Sequence, residues 1–185
     1  MSSRTRAANT AAEVDNDLDS AIVYYKQALA FDPQNQQLQQ CLMLALIGQW
    51  RFDEALELCE SAWNSSPPEN VAGACIELLQ AGRLAASDLE RIRSWIAAAR
   101  QQHPDSAELA FHAALAANFA GDYHEPEAAY RATIALSPEA VLACNDLAWL
   151  LAVARQQPDE ALQLINRAIE LAGPLGYLLD TRATV

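Results

Sequence analysis

The sequence predicts an all-α fold in which pairs of consecutive helices stack side by side. Three observations lead to this prediction. Proline recurs at the end of similar segments, since Pro33 and Pro67 are 34 residues apart, and so are Pro104 and Pro138. The segments between these prolines carry apolar residues at helical spacing. The chain of 185 residues contains only 6 Gly and is rich in Ala, Leu, Glu, Gln and Arg, a composition that favours helix.

The internal repeat is clearest in the segment that precedes each proline. A small residue is followed four positions later by an aromatic or apolar residue, three positions later by alanine and five positions later by proline. Such self-similarity at a period near 34 residues is typical of stacked helical repeats. The motif occurs as Ala21, Tyr25, Ala28 and Pro33, as Ala55, Cys59, Ala62 and Pro67, and as Ala161, Ile165 and Ala168 followed by Gly173 and Pro174.

A second helix is predicted in front of each of these segments, so that every repeat is a helix, a short turn and a second helix. Leu42 to Leu46, Leu109 to Phe119 and Leu147 to Val153 have the apolar spacing of a helix. The first helix of the first repeat, Ser3 to Val14, is only weakly apolar. The predicted array has five repeats and a partial sixth, at residues 2–35, 36–69, 70–106, 107–140, 141–175 and 176–185.

These residues resemble the tetratricopeptide repeat (TPR) family, and the resemblance covers nearly the whole chain. The small-x3-aromatic-x2-Ala-x4-Pro series carries it, together with Gly121-Asp-Tyr123, the segment Ala129–Pro138, and Asn145–Ala152, which looks like the first helix of many bacterial TPR units. Pro126 departs from the family pattern because it occupies the small-residue position of a second helix. The resemblance implies a right-handed α-solenoid of stacked antiparallel helix pairs, with the first helix of each pair lining a concave groove.

The resemblance also implies a function, which is the binding of another protein or peptide in that groove. Matching the family's groove positions to this chain gives a surface that is apolar in its middle and interspersed with amides. Such a surface suits an apolar or amphipathic segment held by aromatic anchors. The expected partner-binding residues are Gln40, Leu44, Ile47, Leu78, Phe111, Leu115, Asn118, Phe119, Asn145 and Trp149, and the matched positions also include Val71, Leu142 and Val153.

Charge and composition argue against several other partners. The formal net charge is −12 and the twelve basic residues form no run, so we expect no nucleic-acid binding. A groove that clamps an acidic peptide tail needs several cations, but only Arg6 is basic among the matching positions. No stretch approaches the roughly 20 apolar residues of a membrane span, and the polar start of the chain does not resemble a secretory signal. We therefore expect a cytoplasmic location.

The sequence contains no recognisable catalytic or cofactor motif. It has neither a glycine-rich phosphate loop nor a G-x-S-x-G turn, and His103, His112 and His124 have no metal-ligand spacing. We therefore predict no enzymatic activity, no cofactor and no metal. The four cysteines lie in apolar helical segments without a C-x-x-C pair, which indicates buried thiols. They are Cys41, Cys59, Cys75 and Cys144.

Three interpretations stay open at this stage. The leading one is a protein-binding scaffold or adaptor. The second is a substrate-recruiting arm of a larger enzyme, such as a glycosyltransferase, kinase or protease. We expect the chain to be a fragment of a longer protein, and this expectation favours the second interpretation. The third is a self-assembling array, because the segment from Tyr177 to Val185 resembles another first helix whose apolar side needs cover.

Overall fold

The computed structural model describes residues 18–82, 84–121 and 125–185. Within these ranges every regular element is an α-helix, and there are ten of them. The predicted first helix, Ser3 to Val14 with Arg6, lies outside the described residues, and so do Tyr123 and His124. The helices are α1 (Leu18–Phe31), α2 (Gln36–Gly48), α3 (Phe52–Ala62), α4 (Pro68–Gln80), α5 (Ala86–Gln102), α6 (Ala107–Phe119), α7 (Glu125–Leu136), α8 (Val141–Ala154), α9 (Pro158–Ala172) and α10 (Gly176–Thr184).

The helix ends follow from the local sequence. The backbone N–H of Leu38 donates to the side chain of Asn35 at 3.1 Å, which caps α2. Ser106 caps α6 in the same way, with a distance of 3.3 Å to the N–H of Leu109. Pro68 begins α4, where its missing N–H costs little. All the repeat-ending prolines lie between helices, as the repeat pattern predicted, while the exact limits of the repeats remain a prediction.

The helices group into two compact bodies, with the division at Ala86, where α5 begins. In the N-terminal body, α1 packs against α2, α2 packs against α3 and α4, and α3 packs against α4. In the C-terminal body, each helix from α6 to α10 packs against the next one, and α8 also packs against α10. Each body is therefore built from consecutive helices, as in an array of hairpins.

Alanine occupies the positions where these helices meet. The predicted close-contact residues Ala28, Ala62, Ala114, Ala148 and Ala168 are all buried. Because a methyl group is the whole side chain, neighbouring backbones approach closely at these points, and larger residues fill the space between them. In the C-terminal body the larger residues include Tyr130, Leu147, Leu150, Leu151 and Ile165, all essentially inaccessible to solvent.

The cysteines contribute to the same packing. Cys59, Cys75 and Cys144 are buried and Cys41 is partly buried, so the expectation of buried thiols is confirmed for the first three. A hydrogen bond with Cys59 and burial both raise the pKa of the Cys75 thiol. The Cys75 thiol is therefore an uncharged packing residue at neutral pH.

The turns inside the helix pairs share one backbone feature, which is a residue with positive φ. Gly82 and Gly121 have φ of 74° and 73°, a conformation that glycine adopts freely. The corresponding residues of two other turns are Trp50, with φ of 60°, and Gln156, with φ of 56°. A residue with a Cβ atom loses roughly 1–2 kcal/mol in this conformation. The hairpin geometry therefore imposes strain at Trp50 and Gln156.

We predict that Gln156→Gly stabilises the protein by up to about 1 kcal/mol, because relief of the positive-φ strain exceeds the added flexibility of the unfolded chain. Urea unfolding followed by circular dichroism measures the change. The control is Gln157→Gly, since Gln157 has an ordinary φ of −114° and should lose stability with the same substitution. Equal effects at the two positions would contradict the assignment of strain to Gln156.

A charged cluster joins α1 to α3 in the N-terminal body. Glu54, in the first turn of α3, bonds through one carboxylate oxygen to Lys26 of α1 at 2.5 Å. Its other oxygen bonds to Arg51 at 2.5 Å. The hydrogen bonds from Arg51 and Lys26 lower the pKa of Glu54 from 4.5 to about 2. The ionised carboxylate therefore contributes to stability above the pKa of the unfolded chain.

This contribution should disappear as the pH falls from about 4.5 to about 2, because the folded pKa lies below the unfolded one. Wild-type protein should lose more stability over this window than Glu54→Gln, which cannot titrate. Thermal unfolding at a series of pH values measures the difference. Glu57→Gln, which removes an exposed carboxylate from the same helix, is the control for the loss of one negative charge. An identical pH profile for Glu54→Gln and wild type would exclude the proposed linkage.

Candidate functional site

The groove residues predicted in the N-terminal body divide into exposed and buried ones. Gln40 and Leu44 are exposed on α2, one turn apart, and Ile47 beside them is partly exposed. Leu78 of α4 has no exposed surface, and Val71 on the same helix is also buried. A side chain that is enclosed in the core has no surface left for a partner, so Leu78 and Val71 belong to the packing and not to a binding surface.

The groove residues predicted in the C-terminal body lie on α6 and α8. Asn118 and Phe119 are exposed near the end of α6, and Trp149 is exposed on α8. Phe111, Leu115 and Asn145 are partly buried. Leu142 and Val153 extend the α8 face, because they share one side of the helix with Asn145 and Trp149. We call these residues of α6 and α8 the α6–α8 surface: Leu115, Asn118, Phe119, Leu142, Asn145, Trp149 and Val153.

The α6–α8 surface contains several large apolar side chains that remain accessible to water. Phe119 and Trp149 are 43% and 42% exposed, and Leu142 and Val153 are 52% and 50% exposed. Scattered single apolar residues on a surface are ordinary, but several along one face of a helix, as on α8, indicate an interaction site. Amide side chains lie among them, so the surface offers both apolar area and hydrogen-bonding groups.

A hydrogen-bond chain beneath this surface joins α6, α7 and α8. The side-chain amide of Asn118 donates to the Tyr130 hydroxyl oxygen at 2.6 Å. The hydroxyl of Tyr130 lies 3.3 Å from a carboxylate oxygen of Asp146, to which it donates. The amide of Asn145 donates to the other oxygen of Asp146 at 3.0 Å. The chain of contacts fixes Asn118 and Asn145 relative to each other.

Burial sets the charge states in this chain of hydrogen bonds. Burial and the neighbouring Asp146 raise the pKa of Tyr130 far above its usual value, so the hydroxyl keeps its proton and remains a donor. Burial also raises the pKa of Asp146, against the opposing effect of the hydrogen bonds from Asn145 and Tyr130. The ring of Phe111 lies 6.0 Å from that of Tyr130 and encloses one side of the network. The result is a rigid polar support under an apolar surface.

Sequence reasoning missed Asp146 and the polar role of Tyr130. The position of Tyr130 in the repeat predicts that it packs in the hydrophobic core between the helices, and its ring is fully buried. The available signal was Asp146 itself, a carboxylate within the otherwise apolar run of α8. A buried charge requires partners, so such a residue points to hydrogen-bond donors on neighbouring helices. The sequence alone could not name those donors.

Neither a metal site nor a membrane-spanning helix occurs among the described residues. No three His, Cys, Asp or Glu side chains within residues 18–82, 84–121 and 125–185 are grouped so that they could hold a metal ion. In the same part of the chain, no helix combines the length and apolar character that a membrane crossing requires. The candidate site therefore consists of an apolar surface and the hydrogen bonds beneath it.

The helix pairs, the recurring motif and the placement of alanine at the contacts are those of tetratricopeptide repeats. A sequence model described as Tetratricopeptide repeat matches residues 15–75. The comparison with curated protein sequences gives no significant match. The tetratricopeptide repeat predicted from the sequence is thus confirmed for residues 15–75.

Solved structures of bacterial TPR proteins have the same fold. TTC0263 from Thermus thermophilus matches with a TM-score of 0.67 and 21% identity, over 98% of this chain and 96% of that protein. YrrB, described as a TPR protein with an unusual peptide-binding site, matches with a TM-score of 0.60 and 15% identity, over 97% and 90%. MamA from Desulfovibrio magneticus matches with a TM-score of 0.60 and 13% identity, over 92% and 96%. These matches confirm the predicted all-α fold class of stacked helix pairs.

We predict that Tyr130→Phe destabilises the protein by roughly 1–3 kcal/mol, because it leaves the partly buried carboxylate of Asp146 without one donor. The midpoint of urea unfolding measures this loss. Tyr177→Phe is the matched control in the same body, since Tyr177 is 43% exposed and its hydroxyl is free to bond to water. Unchanged stability of Tyr130→Phe would show that the hydrogen bond to Asp146 is not a structural support.

Proposed function

We propose that the chain is a protein-binding module that holds an apolar or amphipathic segment of a partner on the α6–α8 surface. The observation that carries this proposal is the exposure of Phe119, Leu142, Trp149 and Val153 on the first helices of two successive helix pairs. Gln40, Leu44 and Ile47 form a smaller surface of the same composition on α2 in the N-terminal body. We propose the α6–α8 surface and the α2 surface as two separate binding surfaces.

The energetics favour a small number of anchoring side chains. Fully burying a large apolar side chain contributes about 1.5–3 kcal/mol, and these residues are about half exposed, so each offers a fraction of that. Aromatic residues are enriched among the residues that dominate binding energy, which points to Phe119 and Trp149 as anchors. The support beneath them holds Asn118 through Tyr130, so less side-chain freedom is lost when a partner binds.

The amides give the surface a means of recognising a peptide backbone. Asn118 is exposed, and an amide side chain both donates and accepts hydrogen bonds. Asn145 is only partly exposed and its Oδ1 atom is buried, so Asn118 is the amide that a partner reaches. An amphipathic helix or extended segment would place its apolar side chains on the aromatic anchors and a polar group near Asn118.

The comparisons support this class of function. YrrB is described as having a peptide-binding site, and this chain has the same fold over most of both proteins. The location of the site within the fold is proposed from the exposure of side chains in this chain. Three further statements about the protein remain hypotheses: that it is located in the cytoplasm, that it is a scaffold without catalytic activity, and that it is part of a larger enzyme.

Self-association is a second candidate function, and one observation favours it. Leu175, Tyr177 and Leu179, at the beginning of α10 and just before it, are 44%, 43% and 43% exposed. A second copy could cover these side chains. Sedimentation over a range of concentrations separates the two candidates, because an array that assembles through α10 grows in mass while a binding module without its partner does not.

The test of the proposed function compares two double variants. Leu142→Ala with Trp149→Ala should weaken partner binding by about ten-fold or more, because both changes remove anchors from the α6–α8 surface. The partner is first captured by a photo-crosslinking amino acid placed at position 142 and identified by mass spectrometry. Its affinity for the purified variants is then measured by calorimetry.

The matched control uses the exposed leucines of α9 in the same body. Leu162 and Leu171 are 42% and 44% exposed, so Leu162→Ala with Leu171→Ala removes comparable apolar surface away from the α6–α8 surface. This variant should bind as the wild type does, and a crosslinker at position 162 should give no adduct. Equal loss of affinity in both double variants would place binding elsewhere on the molecule.

A further inference from the structure

A separate cleft lies between α5, α6 and α7 in the C-terminal body, with a volume of about 520 Å³. Five alanines of α6 and α7 line one side of it. The opposite side is α5, which contributes Arg93, Ala97 and Arg100. The volume falls within the usual range of about 300–1,000 Å³ for ligand sites. The five alanines are Ala113, Ala116, Ala117, Ala128 and Ala129.

The small size of these side chains explains why the cleft exists. Ile92 and Ile96 of α5 are 0% and 1% exposed and hold the helix against the core. Arg93 follows Ile92 and Ala97 follows Ile96 by one residue, while Arg100 lies one turn after Ile96. The three residues therefore form a stripe of α5 beside the buried one. Opposite this stripe, the described lining residues of α6 and α7 are all alanines and present methyl groups. No described side chain therefore fills the space beside the core of α5.

The charge at the edge of the cleft differs from that of the whole chain. Arg93 bonds to Glu90 of the same helix at 2.7 Å, and the two side chains are 24% and 65% exposed. Arg100 is partly buried and forms no hydrogen bond or ion pair with the described residues. Two arginines and one glutamate give the edge a net positive charge, whereas the chain carries −12. A guanidinium beside an apolar surface is suited to bind a carboxylate.

We propose that this cleft binds an acidic, aliphatic segment of a partner protein, with a carboxylate paired to Arg100 and neighbouring aliphatic side chains on the alanine floor. The partner's chemistry follows from charge complementarity with Arg100 and Arg93 and from the apolar lining. The fork of the guanidinium binds both oxygens of a carboxylate, so a glutamate or aspartate is favoured over an amide. This site is independent of the α6–α8 surface, which presents aromatic and amide groups.

The direct test uses two blocked peptides that differ in one side-chain group. N-acetyl-Ala-Leu-Glu-Leu-Ala-amide carries one charge, and its Gln counterpart carries none. Both are titrated to millimolar concentration against the full chain labelled at alanine methyl carbons. The Glu peptide should shift the methyl signals of Ala97, Ala113 and Ala116 with saturation, and the Gln peptide should bind more weakly by about five-fold or more. Equal binding of the two peptides, or no saturable shift, would refute the proposal.

Two pairs of variants locate the site. Arg100→Gln should weaken binding of the Glu peptide by about five-fold, whereas Arg91→Gln, an exposed arginine of the same helix that does not line the cleft, should not. Ala97→Leu should fill the cleft and abolish the shifts, whereas Ala98→Leu should preserve them. Both alanines are exposed on α5, and leucine is a good helix former, so both variants should fold.

A third titration identifies the source of the carboxylate. Octanoate presents the same combination of carboxylate and apolar chain as a free amphiphile. Weaker binding of octanoate than of the Glu peptide supports a protein partner. Binding of octanoate to the same methyl groups without binding of the Glu peptide would mean that the cleft accepts a free amphiphile, and the proposal of a protein partner would be wrong. Equal effects of Arg100→Gln and Arg91→Gln would also overturn it.

Discussion

The structure depends on one constraint, which is that a single helix pair cannot bury its own apolar face. Each pair must lie against its neighbours, and the neighbours must come close. Alanine at the contact positions makes this possible, as at Ala21, Ala55, Ala114 and Ala161, which have no exposed surface. The same constraint explains why the repeat is visible in the sequence, since a small residue recurs at the same contact position in several repeats, as at Ala21, Ala55 and Ala161. Stability within each body comes from many such contacts between successive helices.

The packing constraint also produces the exposed surfaces. In the C-terminal body, α8 uses one face for the core, where Leu147, Leu150 and Leu151 are buried, and presents Leu142 and Trp149 on another. A helix that packs against neighbours on several sides has little room for polar residues, so the partly buried Asp146 needs the donors Tyr130 and Asn145. These hydrogen bonds connect three helices beneath the α6–α8 surface. Structural support and proposed binding surface are therefore parts of the same arrangement.

The two proposed sites differ in their chemistry for a physical reason. The α6–α8 surface exposes large aromatic and aliphatic side chains on first helices, which suits an apolar partner segment held at a few anchors. The cleft beside α5 arises where alanines leave space unfilled, and its edge carries Arg93 and Arg100. An apolar floor with a cationic edge favours an anion attached to an aliphatic body. The C-terminal body thus has two proposed sites. The α6–α8 surface presents large exposed side chains, and the cleft beside α5 is a recess lined by alanines.

The sequence by itself determined the all-α fold, the recurring helix pair and the places where helices end, because these depend on local periodicity, on proline and on alanine at fixed spacing. Asn118, Phe119 and Trp149, which the sequence predicted in a groove, are exposed on first helices, and their part in binding stays a prediction. Tertiary structure alone decided that Leu78 is enclosed, because burial depends on which helices surround a residue and not on its position in the repeat. It alone brought Tyr130 to Asp146, 16 residues away, and opened the cleft beside α5, since both result from how three helices pack together.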